Sequence, residues 1–272
     1  MLNQRNVAAF LVLSIILCMG CGHAAYEERL SQTIDFYTYL NEINQKLASP
    51  AWQRTDVGMA MRVPLPFRAP MAGPEVVTDD EGNQYFGPDP RQPDVLGSDL
   101  PGIVEGFQAP IPVQSGETVN ALFFVLSNHE RYLMESEGSP SPQDFLPDLE
   151  TALMYSFGVS IPDGESTQPI ENMRYRKFYP ERNADNAKYI LPKDYTVIEY
   201  VPTELVGGRS LQGWLFERRE GDIQAAVLVV IPKDVPRNFR SNVELALQTW
   251  EVDGRKPTGT PGATGGGGAS GF

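Results

Sequence analysis

Histidine and cysteine are nearly absent from this chain, which holds two of each in 272 residues: His23, His129, Cys18 and Cys21. Zinc sites draw on three or four side chains, mostly His and Cys. His129-Glu130 opens an H-E-x-x-H pattern, but position 133 is Leu, so the second histidine that would complete a zinc pair is missing. Also missing are a Gly-x-Ser-x-Gly nucleophile elbow and a phosphate loop ending in Lys-Ser or Lys-Thr. The segment "VGGRS" at 206–210 lacks that spacing and reads as a turn. Positive charge is scarce as well. With 22 basic against 35 acidic residues the net charge is −13, which repels phosphate backbones and excludes nucleic acid as a natural partner.

The start of the chain carries the clearest signal. "SIILCMGCGHAAYEERL", residues 14–30, closes an apolar stretch running from Val7 to Gly20, with Arg5 ahead of it. A bilayer-spanning helix needs about 20 apolar residues, and a secretory signal needs a basic start and roughly 7–15. Residues 1–20 therefore read as a signal peptide. Cys18 and Cys21 have CxxC spacing, but a redox or metal pair needs a folded pocket to lower its thiol pKa, and a hydrophobic leader offers none.

Leu17, Cys18, Gly20 and Cys21 resemble the lipobox of bacterial lipoproteins, with Cys18 and Met19 standing where that pattern prefers Leu and a small residue. The resemblance implies diacylglycerol on the Cys21 thiol, cleavage before Cys21 and acylation of the new amine. One acyl chain binds a membrane only marginally, whereas two or more hold firmly. A lipid-anchored protein facing the periplasm or exterior follows, and Gly22 in place of Asp favours the outer membrane. Cys21 is thus the expected lipidation site.

Beyond the anchor, apolar residues at 26, 30, 34, 37, 40, 43 and 47 trace one face of a helix over Tyr26 to Leu47, with Glu27 and Glu28 first and Lys46 last. Its stripe serves a stalk or a partner, or docks on the chain's own core; docking is the ordinary expectation. Residues 57–63 form a strand. Ten of the 23 prolines lie between Pro64 and Pro112, marking a loop-rich insertion with a short hairpin at "VVTDDEGNQYFG". Val119 to Leu126 is a strand covered on both faces. Ser141, Pro142 and Asp144 start a helix that Gly158 caps, with Pro147 a misfit in its first turns. Strands follow at "MRYRKFY", "YTVIEYV", "LQGWLFERR" and "IQAAVLVVIP", then a closing helix from Phe239 to Trp250.

The expected class is α+β: an antiparallel sheet of about five to seven strands covered by amphipathic helices. The organisation is a signal peptide over 1–20, the lipidated Cys and helix over 21–50, one domain over 51–252 with its insertion at 64–112, and a disordered Gly-rich tail over 253–272. The Val63-Pro64-Leu65-Pro66-Phe67 stop, the late hairpin and the C-terminal helix resemble the PsbP-like α/β/α fold. The leader, the "YEERL" helix and the Pro-rich insertion are similar to lipoproteins of planctomycete-type bacteria, a resemblance that implies no activity.

No residue pattern identifies a catalytic group, a metal site or a cofactor. Asp79, Asp80 and Glu81 miss the calcium-loop spacing, since Gly82 is fourth rather than sixth, and read as a solvated turn. His129 is expected to cap a strand end. Arg174, Tyr175, Arg176, Lys177, Phe178 and Tyr179 form the one basic aromatic patch, a candidate partner-binding surface whose ordinary alternative is a strand with a charged outer face. The function expected is non-catalytic: a structural or protein-interaction lipoprotein, with envelope proteins as partners. A hydrolase acting on an envelope polymer and a small-ligand carrier are the alternatives.

Overall fold

The segments Thr118–Ser127, Leu211–Glu220 and Ile223–Pro232 place apolar side chains at both even and odd positions, so as strands both of their faces require cover. The computed structural model describes residues 4–113, 116–134, 138–236 and 238–257, with residues 4–23 as backbone only. In chain order the elements are α1 (Gln4–Lys46), β1 (Trp52–Arg54), β2 (Met59–Met61), β3 (Val76–Thr78), β4 (Gln84–Phe86), β5 (Ile103–Pro112), β6 (Thr118–Ser127), α2 (His129–Leu133) and α3 (Phe145–Phe157). They continue with β7 (Glu165–Ser166), β8 (Arg174–Tyr179), β9 (Lys193–Tyr200), β10 (Leu211–Glu220), β11 (Ile223–Pro232), α4 (Asn238–Thr249) and β12 (Glu251–Val252).

Helix α1 makes a unit of its own, and residues from Lys46 onward make the second. On α1, Tyr26, Leu30, Ile34 and Tyr37 are exposed, so at these four positions the apolar stripe is uncovered. No helix among the described residues is long and apolar enough to cross a membrane.

The second unit is α+β. Its seven-stranded sheet runs β5-β6-β11-β10-β9-β8-β7. All neighbours are antiparallel except β7 and β8. The strands expected at 119–126 and in the four later segments are all present. β5 was not foreseen: it lies inside the interval read as a loop-rich insertion, and Pro110 and Pro112 stand in it. Proline cannot donate to a ladder and is tolerated on an edge strand, which is where β5 lies.

Because successive strand residues point to opposite faces, Phe123 and Phe124 divide between two cores. Phe124, Leu126, Ile198, Leu215 and Leu228 pack with Phe145, Leu149, Leu153 and Phe157 of α3. On the other face Phe67 meets Phe123 and Phe239, Tyr195 stacks on Trp250, and Trp214 lies against Phe239. That face is covered by α4 and by the small β1-β2-β12 sheet. Each fully buried Phe or Leu is worth about 1.5–3 kcal/mol of transfer free energy.

Local chemistry sets the boundaries. The Ser141 side chain accepts from the Gln143 N–H, and Gly158, at φ 61°, donates its N–H to the carbonyls of Met154 and Tyr155. Pro147 is no misfit, since it is the third residue of α3, where an N–H would have no helical acceptor. Gly221 and Asp222 form a two-residue turn between β10 and β11, with Gly221 at φ 56°. Past the expected boundary at residue 252, Asp253 donates its N–H to Gly58 O at 2.9 Å. Residues 258–272 lie outside the described residues.

Gly213 tests the α3 interface, because a Cβ there would lie 2.6 Å from Cζ of Phe157. Gly213→Ala is expected to destabilise the domain by roughly 1–3 kcal/mol in urea unfolding, the cost of overpacking a filled core.

Candidate functional site

The basic aromatic segment folds as β8, and the pleat divides it. Tyr175 and Tyr179 are buried, while Arg176 projects outward and pairs with Asp194. Phe178 lies under Arg182, whose guanidinium carbon is 3.9 Å from the ring centroid. The six residues therefore do not present a single surface.

On the α4 side, the Tyr175 hydroxyl donates to Glu199 Oε1 at 2.6 Å and accepts from Arg240 at 2.8 Å. Arg240 also pairs with Glu199 at 2.8 Å and donates to Glu244 at 3.1 Å. The Tyr179 hydroxyl donates to Glu244 at 3.2 Å, and the Lys177 ammonium pairs with the same carboxylate at 3.4 Å. Most of the positive charge and tyrosine of this segment is consumed in fastening α4 to β8 and β9.

On the α3 side, Arg174 clasps the Glu150 carboxylate, with Nε at 2.9 Å from Oε2. Glu217 of β10 and Tyr200 of β9 lie in the same group, and neither Glu217 Oε1 nor the Tyr200 hydroxyl has a hydrogen-bond partner in the structure. Burial, then repulsion from Glu150 and a hydrogen bond to it, hold Glu217 well above the usual carboxylate range. The protonated form of Glu217 is thereby favoured over the ionised one. Composition had shown no way to choose a carboxylate pair among 35 acids, yet parity marks this one. Glu150 falls on the apolar stripe 146, 149, 153, 157 of α3, and Glu217 shares the inward face of β10 with Leu215.

His129 stands where β6 ends and α2 begins. Its Nδ1 lies 2.6 Å from Ser127 Oγ, and burial lowers its pKa, so it serves as a neutral structural residue. No group of three or more His, Cys, Asp or Glu side chains among the described residues is arranged to hold a metal. The Asp79 carboxylate is occupied by its own turn, accepting from the N–H groups of Glu81 at 3.0 Å and Asn83 at 2.8 Å.

That turn closes the hairpin expected at 76–86. β3 and β4 pair only with each other, with Val76 opposite Phe86 and Val77 opposite Tyr85. The two pairs face opposite ways, and all four side chains are exposed, at 56%, 51%, 37% and 53% respectively. An isolated two-stranded hairpin is marginal in water, and this one displays apolar pairs on both faces with an acidic tip. Cys21 lies within α1, and its side chain is outside the described residues. No protein-family model matches the chain, and no curated protein matches its sequence.

The carboxyl pair yields a pH dependence of defined sign. A carboxyl whose folded pKa is raised contributes stability that is fully present below its unfolded value, about 4.3 for glutamate, and is lost as pH rises through the folded value. Unfolding free energy is expected to fall as pH rises above about 4.3 and through the raised folded value, and Glu217→Gln to remove most of that fall. Urea titrations of both proteins across a series of pH values check it.

Proposed function

We propose that this chain is a lipoprotein of the cell envelope, anchored through lipid on Cys21, with a non-catalytic role in binding other envelope proteins. The anchor is supported by the Val7 to Gly20 apolar stretch that ends at Cys21 and by the acidic, water-compatible sequence after it. Gly22 favours delivery to the outer membrane. The body is taken as a PsbP-like α/β/α fold, supported by the Pro64-to-Phe67 stop after β2 and by the β10–β11 hairpin leading into α4.

The observation that carries the binding role is the β3–β4 hairpin. Val76, Val77, Tyr85 and Phe86 offer apolar area on a short sheet that no other strand among the described residues joins. Aromatic anchors of this kind are enriched at interfaces. Asp79, Asp80 and Glu81 at the tip select the partner's chemistry: an apolar cleft with a basic rim, on a protein rather than on an anionic lipid surface. The hydrolase alternative gains less support. Its two carboxylates would have to line a cleft, whereas Glu150 and Glu217 are packed between α3 and the sheet.

Replacing Cys21 with Ser is expected to move the protein from the membrane to the soluble fraction. Persistence of the variant in membranes after a high-salt wash would contradict a lipid anchor.

A photo-crosslinker at position 77 is expected to join one discrete protein in intact envelopes. A crosslinker at Tyr155, itself 82% exposed on α3, serves as the control and is expected to capture none. The pair Tyr85→Asp and Phe86→Asp should abolish the crosslink while changing urea stability by less than about 0.5 kcal/mol, as for surface sites.

A further inference from the structure

A groove of about 510 Å³ lies over the part of the sheet that no residue of α3 lines. That volume is within the roughly 300–1,000 Å³ of small-molecule sites. Leu122 and Val230 pair across β6 and β11 in its floor, next to Leu211 of β10. The walls come from residues 90–95 and from Gly207 and Arg209, and the two segments abut. A Cβ on Gly207 would lie 2.6 Å from the Val95 carbonyl oxygen, and Gly207 has φ 53°. Only glycine suits this contact, which holds the two segments together.

The polar groups lining the groove divide into used and unused. Arg91 is spent: it pairs with Asp89 at 2.7 Å and donates to the carbonyls of Val104 at 3.1 Å and Ile103 at 3.2 Å. Gln92 is spent as well, bonded in both directions to the backbone of Leu100. Four exposed side chains remain without a partner among the described residues: Asp94, Arg209, Gln108 and Asn120. Gln108 and Asn120 share one face of the β5–β6 pair, since Gln108 lies opposite Leu122 and Asn120 opposite Pro110.

One free carboxylate, one free guanidinium, two amides and an apolar floor of half-buried Leu122 beside buried Val230 and Leu211 define a ligand that carries both charges. A monoanion would leave Asp94 covered and unpaired, a monocation would do the same to Arg209, and a neutral sugar would strand both. We propose that the groove binds a short peptide with free ends. Its ammonium lies on Asp94, its carboxylate on Arg209, its peptide groups on Gln108 and Asn120, and an apolar side chain on Leu122. The site is independent of the hairpin and of the anchor.

Calorimetric titration of the full-length chain in detergent with the tripeptide Ala-Leu-Ala, its N-acetyl form and its C-terminal amide tests this. The free tripeptide should bind, with each blocked form about tenfold weaker, the loss of one charge-assisted contact. Arg209→Gln should erase the difference between the free peptide and the amide while keeping the N-acetyl penalty, and Asp94→Asn should do the reverse. Both side chains are exposed, so melting of either variant should match the parent. Equal affinity for all three peptides, or no binding by about 10 mM, overturns the proposal, as does a variant that weakens all three alike.

Discussion

Three adjacent strands, β6, β11 and β10, are buried on both faces, and the rest of the domain follows from covering them. Ile223 to Pro232 is buried at every position, so β11 cannot lie at an edge or face water on either side. One cover is α3, seated by Phe145, Leu149, Leu153 and Phe157. The other is α4 with the small sheet, seated by Phe239, Val243, Leu247 and Trp250. With both sides closed, the described interior of this unit is largely filled, and its uncovered features are the β3–β4 hairpin and the groove beyond α3.

The covers are also fastened by polar groups, and these differ in kind. Arg240 ties α4 to β9 through Glu199 and to β8 through the Tyr175 hydroxyl, and Glu244 of α4 accepts from the Tyr179 hydroxyl of β8. Such a network fixes register, because a slipped helix would strand several charges in a low dielectric. The α3 side has Glu150 matched by Arg174, but Glu217 and Tyr200 are left with unpaired atoms. A buried carboxyl that stays neutral is tolerable where an ionised one is not, so ionising Glu217 would weaken this cover.

Periodicity revealed a great deal of this. The two-faced strands announced themselves by unbroken apolar runs, and the hairpins by Gly82 and Gly221. The end of α3 was legible from Gly158. β5 was hidden because its two prolines and its position within a proline-dense interval read as loop; only knowledge that it lies at an edge makes those prolines acceptable. The basic aromatic segment on β8 divides between two faces for a related reason. Composition shows charge and aromatic content but not which of two faces each residue serves, and here the pleat sends Tyr175 inward and Arg176 outward. Glu150 and Glu217 were legible in principle as carboxylates at core-parity positions. Arg209 was not, since its meaning depends on residues 90–95 arriving beside it.

The central claim is that a closed body carries an unsupported apolar hairpin for a partner to cover, and amide hydrogen exchange of the same protein, purified and in native envelope membranes, tests it most directly. In the purified protein β6 and β11 should exchange only through global unfolding, while residues 76–86 exchange with little protection. In membranes those hairpin amides should become protected and the sheet should not change. Hairpin protection equal to that of the sheet in the purified protein, or no gain in membranes, would contradict the account.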